Sequence, residues 1–400
     1  MDNDLLIDTR APVLRTAVVG LMAVAAGLGT ATMYVLQPGI AAVAGSLHAS
    51  VAEMGIALAC GPVGYLLGLA LLVPLVDRYP PRTVVSLQFA ALAAASAIGA
   101  AAGAMWLLGP VIGLIGAASS VGAQMSSVAG RFAEPSRHAT VLGTVTAGIS
   151  AGILAGRIVG GWLTDLIGWR GMLLVFAAAC VVLAAATRVV LPAATAPVAS
   201  GYLAMLRGLP GLFTRCPSLG SAALRGTLWF FAFCTVWGGL AAALSQPPFS
   251  YSSERIGLYA FAGLAGVAAT RIAGAWTDRV GARRVILVGL VVAGTAAVIL
   301  AVALSNTVLA LLCLGLFDAG LFAAQVANQS TVLAIDPGSP ARFNSAYMVV
   351  YFVGGSAGTA FGAAAVSWFG WAVTAVIAAL AIAAAGTLTA GSRKRVDQSP

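Results

Sequence analysis

"GILAGRIVGGWLTDLIGW" at residues 152–169 is echoed by "GGSAGTAFGAAAVSWFGW" at residues 354–371. Sliding the chain by 202 residues without a gap lays Gly152 on Gly354, Gly156 on Gly358, Gly160 on Gly362, Gly168 on Gly370 and Trp169 on Trp371, and carries Pro135 onto Pro337. Six matches at one offset are more than glycine content alone supplies, so the chain is read as a repeat before any motif is weighed. A one-residue slip adds Asp77-Arg78 on Asp278-Arg279 and Gln124 on Gln325, and Gln37-Pro38 resembles Gln246-Pro247. The sequence is therefore two related halves running in the same direction.

The halves are made for lipid. Of 400 residues 60% are hydrophobic and 8% charged, with a mean hydropathy of +0.99, whereas soluble domains are about 25% charged. A hydrocarbon core takes about 20 apolar residues to cross. Twelve stretches qualify: 12–36, 50–76, 83–104, 106–130, 139–162, 170–190, 220–246, 254–276, 282–303, 307–332, 343–366 and 370–390. Lipid offers the backbone no hydrogen-bond partner, so runs of this length are predicted to be helices. The expected fold is an all-α membrane protein, with one six-helix bundle in 1–190, a connection in 191–219 that contains "LPAATAP", and a second bundle with a short basic tail in 220–400. The N-terminal "MDNDLLIDTR" lacks the basic start of a secretory signal, so the first span is expected to be retained.

Placed on these spans, seventeen of the 21 lysines and arginines, Arg225 among them, fall at one face, and Arg170 and Arg255 at the other. Basic residues accumulate in cytoplasmic loops, so both termini are expected in the cytoplasm of a bacterium with the chain multi-pass in its inner membrane. The net charge of +9 is then a topology signal and implies no nucleic-acid partner. The five cysteines show no metal-like spacing, and no nucleophile stands beside a base. Neither a metal, an organic cofactor nor an enzyme is expected, and the implied partners are the bilayer and a small molecule, with the chain as a monomer.

The loop "GAWTDRVGARR" (274–284) resembles the signature Gly-x-x-x-Asp-Arg-x-Gly-x-Arg-Arg of the major facilitator superfamily, through Gly274, Asp278, Arg279, Gly281, Arg283 and Arg284. Its first-half counterpart "VPLVDRYPPR" (73–82) keeps Asp77, Arg78 and Arg82 but has Val73 and Pro80 where the family places glycines. The resemblance implies twelve helices in two pseudo-symmetric bundles, and a role for these loops either as an inward gate latch or in setting topology. A second signature, Gly-x-x-x-Gly-Pro-x-x-Gly-Gly-x-Leu, is associated with exporters that run as proton antiporters. It matches Gly152, Gly156, Gly160, Gly161 and Leu163, with Arg157 in place of the proline. Glycines four apart also form a smooth stripe for helix packing, and Gly354, Gly358 and Gly362 repeat it; the expected use of the stripe is between the halves. "NSAYMVVYFVGGSAGTAFG" and "GGWLTDLIGWR" place the chain near the drug:proton antiporters, although Pro110 stands where that group carries an arginine.

Apart from the residues assigned to the two faces and the span ends, three ionisable residues are left inside the predicted spans: Arg157, Arg271 and Asp318. Such groups are costly in a membrane and mark function by default. Arg271 lies about five residues from a helix end, roughly 8 Å, and either snorkels or faces a cavity. Arg157, about five residues from the other end of its span, is either a charge at the cavity mouth or a second snorkelling arginine. Asp318 is near the middle of the tenth span, which lines the cavity in this superfamily, and it is either a proton-coupling site or a structural acid. Tyr34, Gln124, Trp237, Gln325, Tyr347 and Tyr351 are further cavity candidates, with Trp229 and Trp237 on the seventh span; Trp229, Trp368 and Trp371, near helix ends, fit interfacial anchoring. The leading reading is a secondary transporter that alternates access by rocking two halves, exporting a small, partly apolar compound against protons. Carriage of an organic anion with Arg271 or Arg157 as counter-charge, and a non-transporting sensor or scaffold of the same fold, stay open.

Overall fold

A computed structural model describes residues 15–134, 137–193, 210–336 and 340–391. The N-terminal decapeptide, most of the 191–219 connection, Pro135, Pro337, the tail basic residues and the side chain of Asp77 lie outside the described residues.

Among the described residues nine helices are long and apolar enough to cross a membrane, and a tenth, Thr16–Ala31, is shorter. Two of the nine are each a pair of spans joined at one non-helical glycine, Gly168 and Gly370. The spans are thus α1 (Thr16–Ala31), α2 (Val51–Leu71), α3 (Pro81–Ala101), α4 (Met105–Phe132), α5 (138–167), α6 (169–190), α7 (Pro217–Ser245), α8 (Ser253–Val280), α9 (Ala282–Ala303), α10 (Thr307–Leu333), α11 (340–369) and α12 (371–391). Gly168 has φ 76° and ψ 158°, and Gly370 φ 79° and ψ 171°, a region essentially reserved for glycine that costs another residue about 1–3 kcal/mol. A one-residue corner between antiparallel helices requires that conformation, which explains why this glycine and the tryptophan after it repeat.

Local chemistry sets the other ends. Ser50 and Glu53 form a reciprocal capping box at the start of α2, and the Asn306 side chain accepts from Leu309 N–H at α10. The two signature loops turn differently. Gly281, at φ 86°, ends α8 and starts α9, whereas in the first half Tyr79 is extended and Pro81 opens α3 at its first turn. Proline chemistry there replaces the missing glycine.

The glycine stripes work inside each half, which corrects the expectation that they join the halves. Gly152, Gly156 and Gly160 of α5 lie against the carbonyls of Gly27, Ala31 and Val35 on α1 and just beyond it. Gly354, Gly358 and Gly362 of α11 lie in the same way against Thr227, Phe231 and Thr235 of α7. A Cβ on Gly156 would sit 2.6 Å from the Ala31 carbonyl oxygen, closer than real contacts allow, so the backbones meet only because no side chain intervenes. Thr227 and Thr235 add hydroxyl bonds to the Val350 and Gly358 carbonyls, at 2.9 and 3.3 Å. Of the glycines in the α5 motif, Gly161 instead faces the other half, where it meets the Ser253 carbonyl of α8.

The principal contacts between halves are α2 with α11 and α5 with the first turns of α8. The α5–α8 contact and the approach of Gly55 on α2 to Ala363 on α11 lie at the end away from the signature loops, here called the far end. Gly257 meets the Arg157 carbonyl, and Asp165 accepts the backbone N–H groups of Ser253 and Glu254 at 3.1 and 2.7 Å. A carboxylate at a helix start is favoured by its free N–H groups and dipole, so Asp165 ties α5 to α8 across the molecule. Nothing in the sequence pattern singled it out.

Candidate functional site

Between the halves lies a cavity of about 190 Å³. Its wall takes Thr30, Met33 and Tyr34 from α1 and the turn after it, Tyr65 from α2, Ile149 and Ile153 from α5, Trp229, Phe230 and Phe233 from α7, Leu321, Phe322 and Gln325 from α10, and Tyr351 and Phe352 from α11. Both bundles therefore contribute, and the lining is aromatic with few polar groups. Phe230 stacks on Tyr351 with ring centroids 4.0 Å apart, Phe233 meets Phe322 edge-on at 5.8 Å, and Tyr65 reaches Phe352 at 5.0 Å across the two halves.

At the far end of the cavity the charged residues converge. Helix α5 runs to residue 167, five residues beyond its predicted end, because the helical hydrogen bonding is interrupted only at Gly168. Arg157 therefore lies ten residues from the end of its helix, about 15 Å deep at 1.5 Å per residue. Asp318, eleven residues into α10, is at a matching depth. Arg157 is 4% exposed and Asp318 2%. The Arg157 Nε donates to Gln37 Oε1 at 2.8 Å, and its guanidinium stands 4.9 Å from the Tyr34 ring and 4.2 Å from the Trp237 ring. Trp237 Nε1–H in turn donates to Asp318 Oδ1 at 3.0 Å. Arg157 and Asp318 stand on either side of one indole, which stacks under the guanidinium and bonds the carboxyl. A buried cation is thus matched by a buried anion from the opposite half, where either alone would be costly.

This arrangement corrects both readings of Arg157: it is neither at the mouth nor snorkelling, and it stands behind Tyr34 rather than in the cavity wall. Trp237 likewise sits behind the wall, as the link between the charges. Tyr34, Gln325 and Tyr351 line the cavity. Tyr347 is fully buried behind them and donates to Gln325 Oε1 at 2.7 Å. Gln124 does not share the position of its repeat partner. It is enclosed in the first bundle, where its amide donates to Leu72 O at 2.8 Å and Gln88 Oε1 at 2.6 Å. Arg271 is exposed and does not reach the cavity.

The tryptophans also need correction. Trp229 is 1% exposed in the cavity wall, and Trp371 is buried with its N–H donated to Leu300 O at 2.8 Å; only Trp368, 63% exposed, keeps the character of an interfacial anchor. In the signature loops, Arg78, Arg82, Asp278, Arg279 and Arg284 are exposed. Arg283 bonds the Thr389 and Ala390 carbonyls at 3.3 and 3.0 Å, pinning α9 to the end of α12 within its own half. Arg225, grouped above with the loop charges, is buried inside α7 at 8% exposure. Its signal was available, since it stands one turn before Trp229 in a span that starts at Pro217. Among the described residues no three His, Cys, Asp or Glu side chains group to hold a metal ion.

The Major Facilitator Superfamily profile matches residues 19–246. The chain is 31% identical over 364 residues, 90% of its length and 91% of the relative's, to "Uncharacterized transporter YgaY" of Escherichia coli O157:H7. It is 30% identical over 261 residues, 64% of its length and 60% of the relative's, to "Probable transporter SCO4007" of Streptomyces coelicolor. A bacterial homologue of the human lysosomal transporter Spinster, in its inward-facing and unoccupied conformation, superposes with a TM-score of 0.78 at 15% identity, covering 96% of this chain and 98% of that one. The nucleoside transporter NupG superposes with a TM-score of 0.77 at 12% identity, covering 93% and 98%. Two six-helix bundles around a shared cavity, a family match over more than half of the chain and a transporter relative along nine-tenths of it agree: the chain belongs to the major facilitator superfamily and is a membrane transporter, not an enzyme.

Proposed function

We infer that this transporter couples the outward movement of a compact, partly apolar compound to inward movement of protons, with Asp318 as the proton carrier. The observation behind this reading is the Arg157–Trp237–Asp318 cluster, which sets one titratable carboxyl against one fixed cation across the two halves. Ionised Asp318 attracts the guanidinium and favours the far end held shut, while a proton on Asp318 removes that attraction and frees α5 to part from α7 and α10. The cavity size favours a small substrate. An apolar cavity of about 150 Å³ accepts benzene, and this one, at about 190 Å³ with an aromatic lining, suits a substrate near one ring in size. The loop charges favour both termini in the cytoplasm of a bacterial inner membrane, with the proton entering from the far end.

The test is transport into proteoliposomes driven by a pH gradient, with compounds selected by thermal shift on the purified protein. Asp318→Asn, which leaves Arg157 without its counter-charge, is expected to fold with reduced stability and still bind, but to lose pH-driven flux. Unchanged proton-coupled flux in that variant removes Asp318 from the mechanism. Ligand binding without flux in the wild-type protein would instead favour a sensor.

A further inference from the structure

Arg225 is the buried cation that the coupling cluster leaves unused. Its Nε donates to Asn328 Oδ1 at 2.6 Å and one terminal nitrogen to Thr331 Oγ1 at 3.3 Å. Among the described residues no carboxylate lies within ion-pair distance of it, and both of these partners are neutral. A guanidinium held in a membrane bundle by neutral partners alone is costly, and such groups mark substrate pathways. Its position fits. Arg225 precedes Trp229 by four residues, so it lies on the same side of α7, one turn nearer the signature-loop end and just beyond the cavity wall. Asn328 is three residues past Gln325 on α10, and Gln325, which does line the cavity, is bonded to Tyr347. The cavity thus has a neutralised charge pair behind its far end and an uncompensated positive charge beyond its other end, with aromatic walls between.

On the reading that this cavity is the transport site, we propose that Arg225 is an anion-binding subsite and that the substrate is an amphipathic monoanion: one carboxylate or similar oxyanion on a compact apolar body. The anionic group is held by Arg225 with the Gln325 amide, Asn328 serving to position the guanidinium, and the apolar body lies among the aromatic rings. The guanidinium fork matches two carboxylate oxygens at once.

Purified full-length protein is titrated calorimetrically with benzoate, hexanoate and salicylate, and with benzamide and benzylamine as neutral and cationic matches. Benzoate is expected to bind at least about tenfold more tightly than benzamide, as befits a charge-assisted bond, and benzylamine more weakly than either. Arg225→Gln is expected to bring benzoate down to benzamide, and Arg225→Lys to keep part of the preference. Asp318→Asn is expected to leave benzoate binding unchanged while abolishing pH-driven flux, so loss of coupling and loss of anion recognition read out separately. No binding by any of the three carboxylates, equal binding of benzoate and benzamide by the wild-type protein, or an intact preference in Arg225→Gln would each overturn the assignment. The wild-type comparison decides the matter even if Arg225→Gln fails to fold.

Discussion

Two opposite charges joined through one indole make the energetics at Arg157 and Asp318 mutual. Removing one partner of a buried pair costs about 3–5 kcal/mol, because the other charge is left alone, whereas removing both is often neutral. Arg157→Met is therefore expected to lose stability of that order in detergent unfolding, and Arg157→Met combined with Asp318→Asn to recover most of it. Additive losses in the double variant would mean that the charges do not sense each other. Trp237→Phe keeps a ring for the guanidinium but deletes the N–H bonded to Asp318. It is expected to cost about 1.5–3 kcal/mol, as for a bond to a charged group, and to slow pH-driven flux. Arg157→Pro, which restores the residue of the family signature, is expected to abolish that flux; normal transport in this variant would leave the charge without a mechanistic role.

Helices in this protein meet by two kinds of glycine contact, and substitutions should separate them. Gly152 and Gly358 seat α5 on α1 and α11 on α7 within each bundle. Valine at either is expected to cost at least the 1–3 kcal/mol typical of overpacking and to lower the yield of folded protein. Gly161 and Gly257 instead let α5 and α8 touch across the halves. Gly257→Val is expected to leave each bundle intact but hold the far end apart. Spin labels at the exposed positions Leu166 and Arg255 should then report a longer distance than in the wild-type background, and an unchanged distance would refute this division of roles. The sequence displayed both stripes but not this distinction. Gly160 and Gly161 are adjacent, and only the rotation of α5 sends one to α1 and the other to α8.

At the scale of the whole molecule, the halves close around the cavity at the end opposite the signature loops, and the loop charges orient that closure. A cysteine at Arg255 is expected to react with an impermeant maleimide added outside intact cells, and a cysteine at Arg279 only after permeabilisation; the reverse pattern would invert the proton path proposed above. The fold was legible in one dimension, since hydropathy marks spans and an offset of 202 residues marks two halves, and neither depends on how helices turn. The candidate site was legible in part. Asp318, Gln325, Tyr34 and Tyr351 stood out as polar or aromatic groups in apolar runs, whereas Gln124, the repeat partner of Gln325, proved to be internal packing.

What the sequence alone could not determine was depth and rotation. Ending α5 five residues early placed Arg157 near the membrane surface, when ten residues of helix bury it level with Asp318. Rotation is hidden for a physical reason. Lipid is as apolar as the bundle interior, so a helix surrounded by both shows little contrast between its buried and exposed faces. Composition and self-similarity determined that this chain is a twelve-helix, two-bundle membrane protein. Only the packing of the bundles decided that Arg157 and Asp318 share Trp237, that Arg225 is inside rather than at the surface, and that the repeated glycines build each half while Gly161 and Gly257 bring the halves into contact.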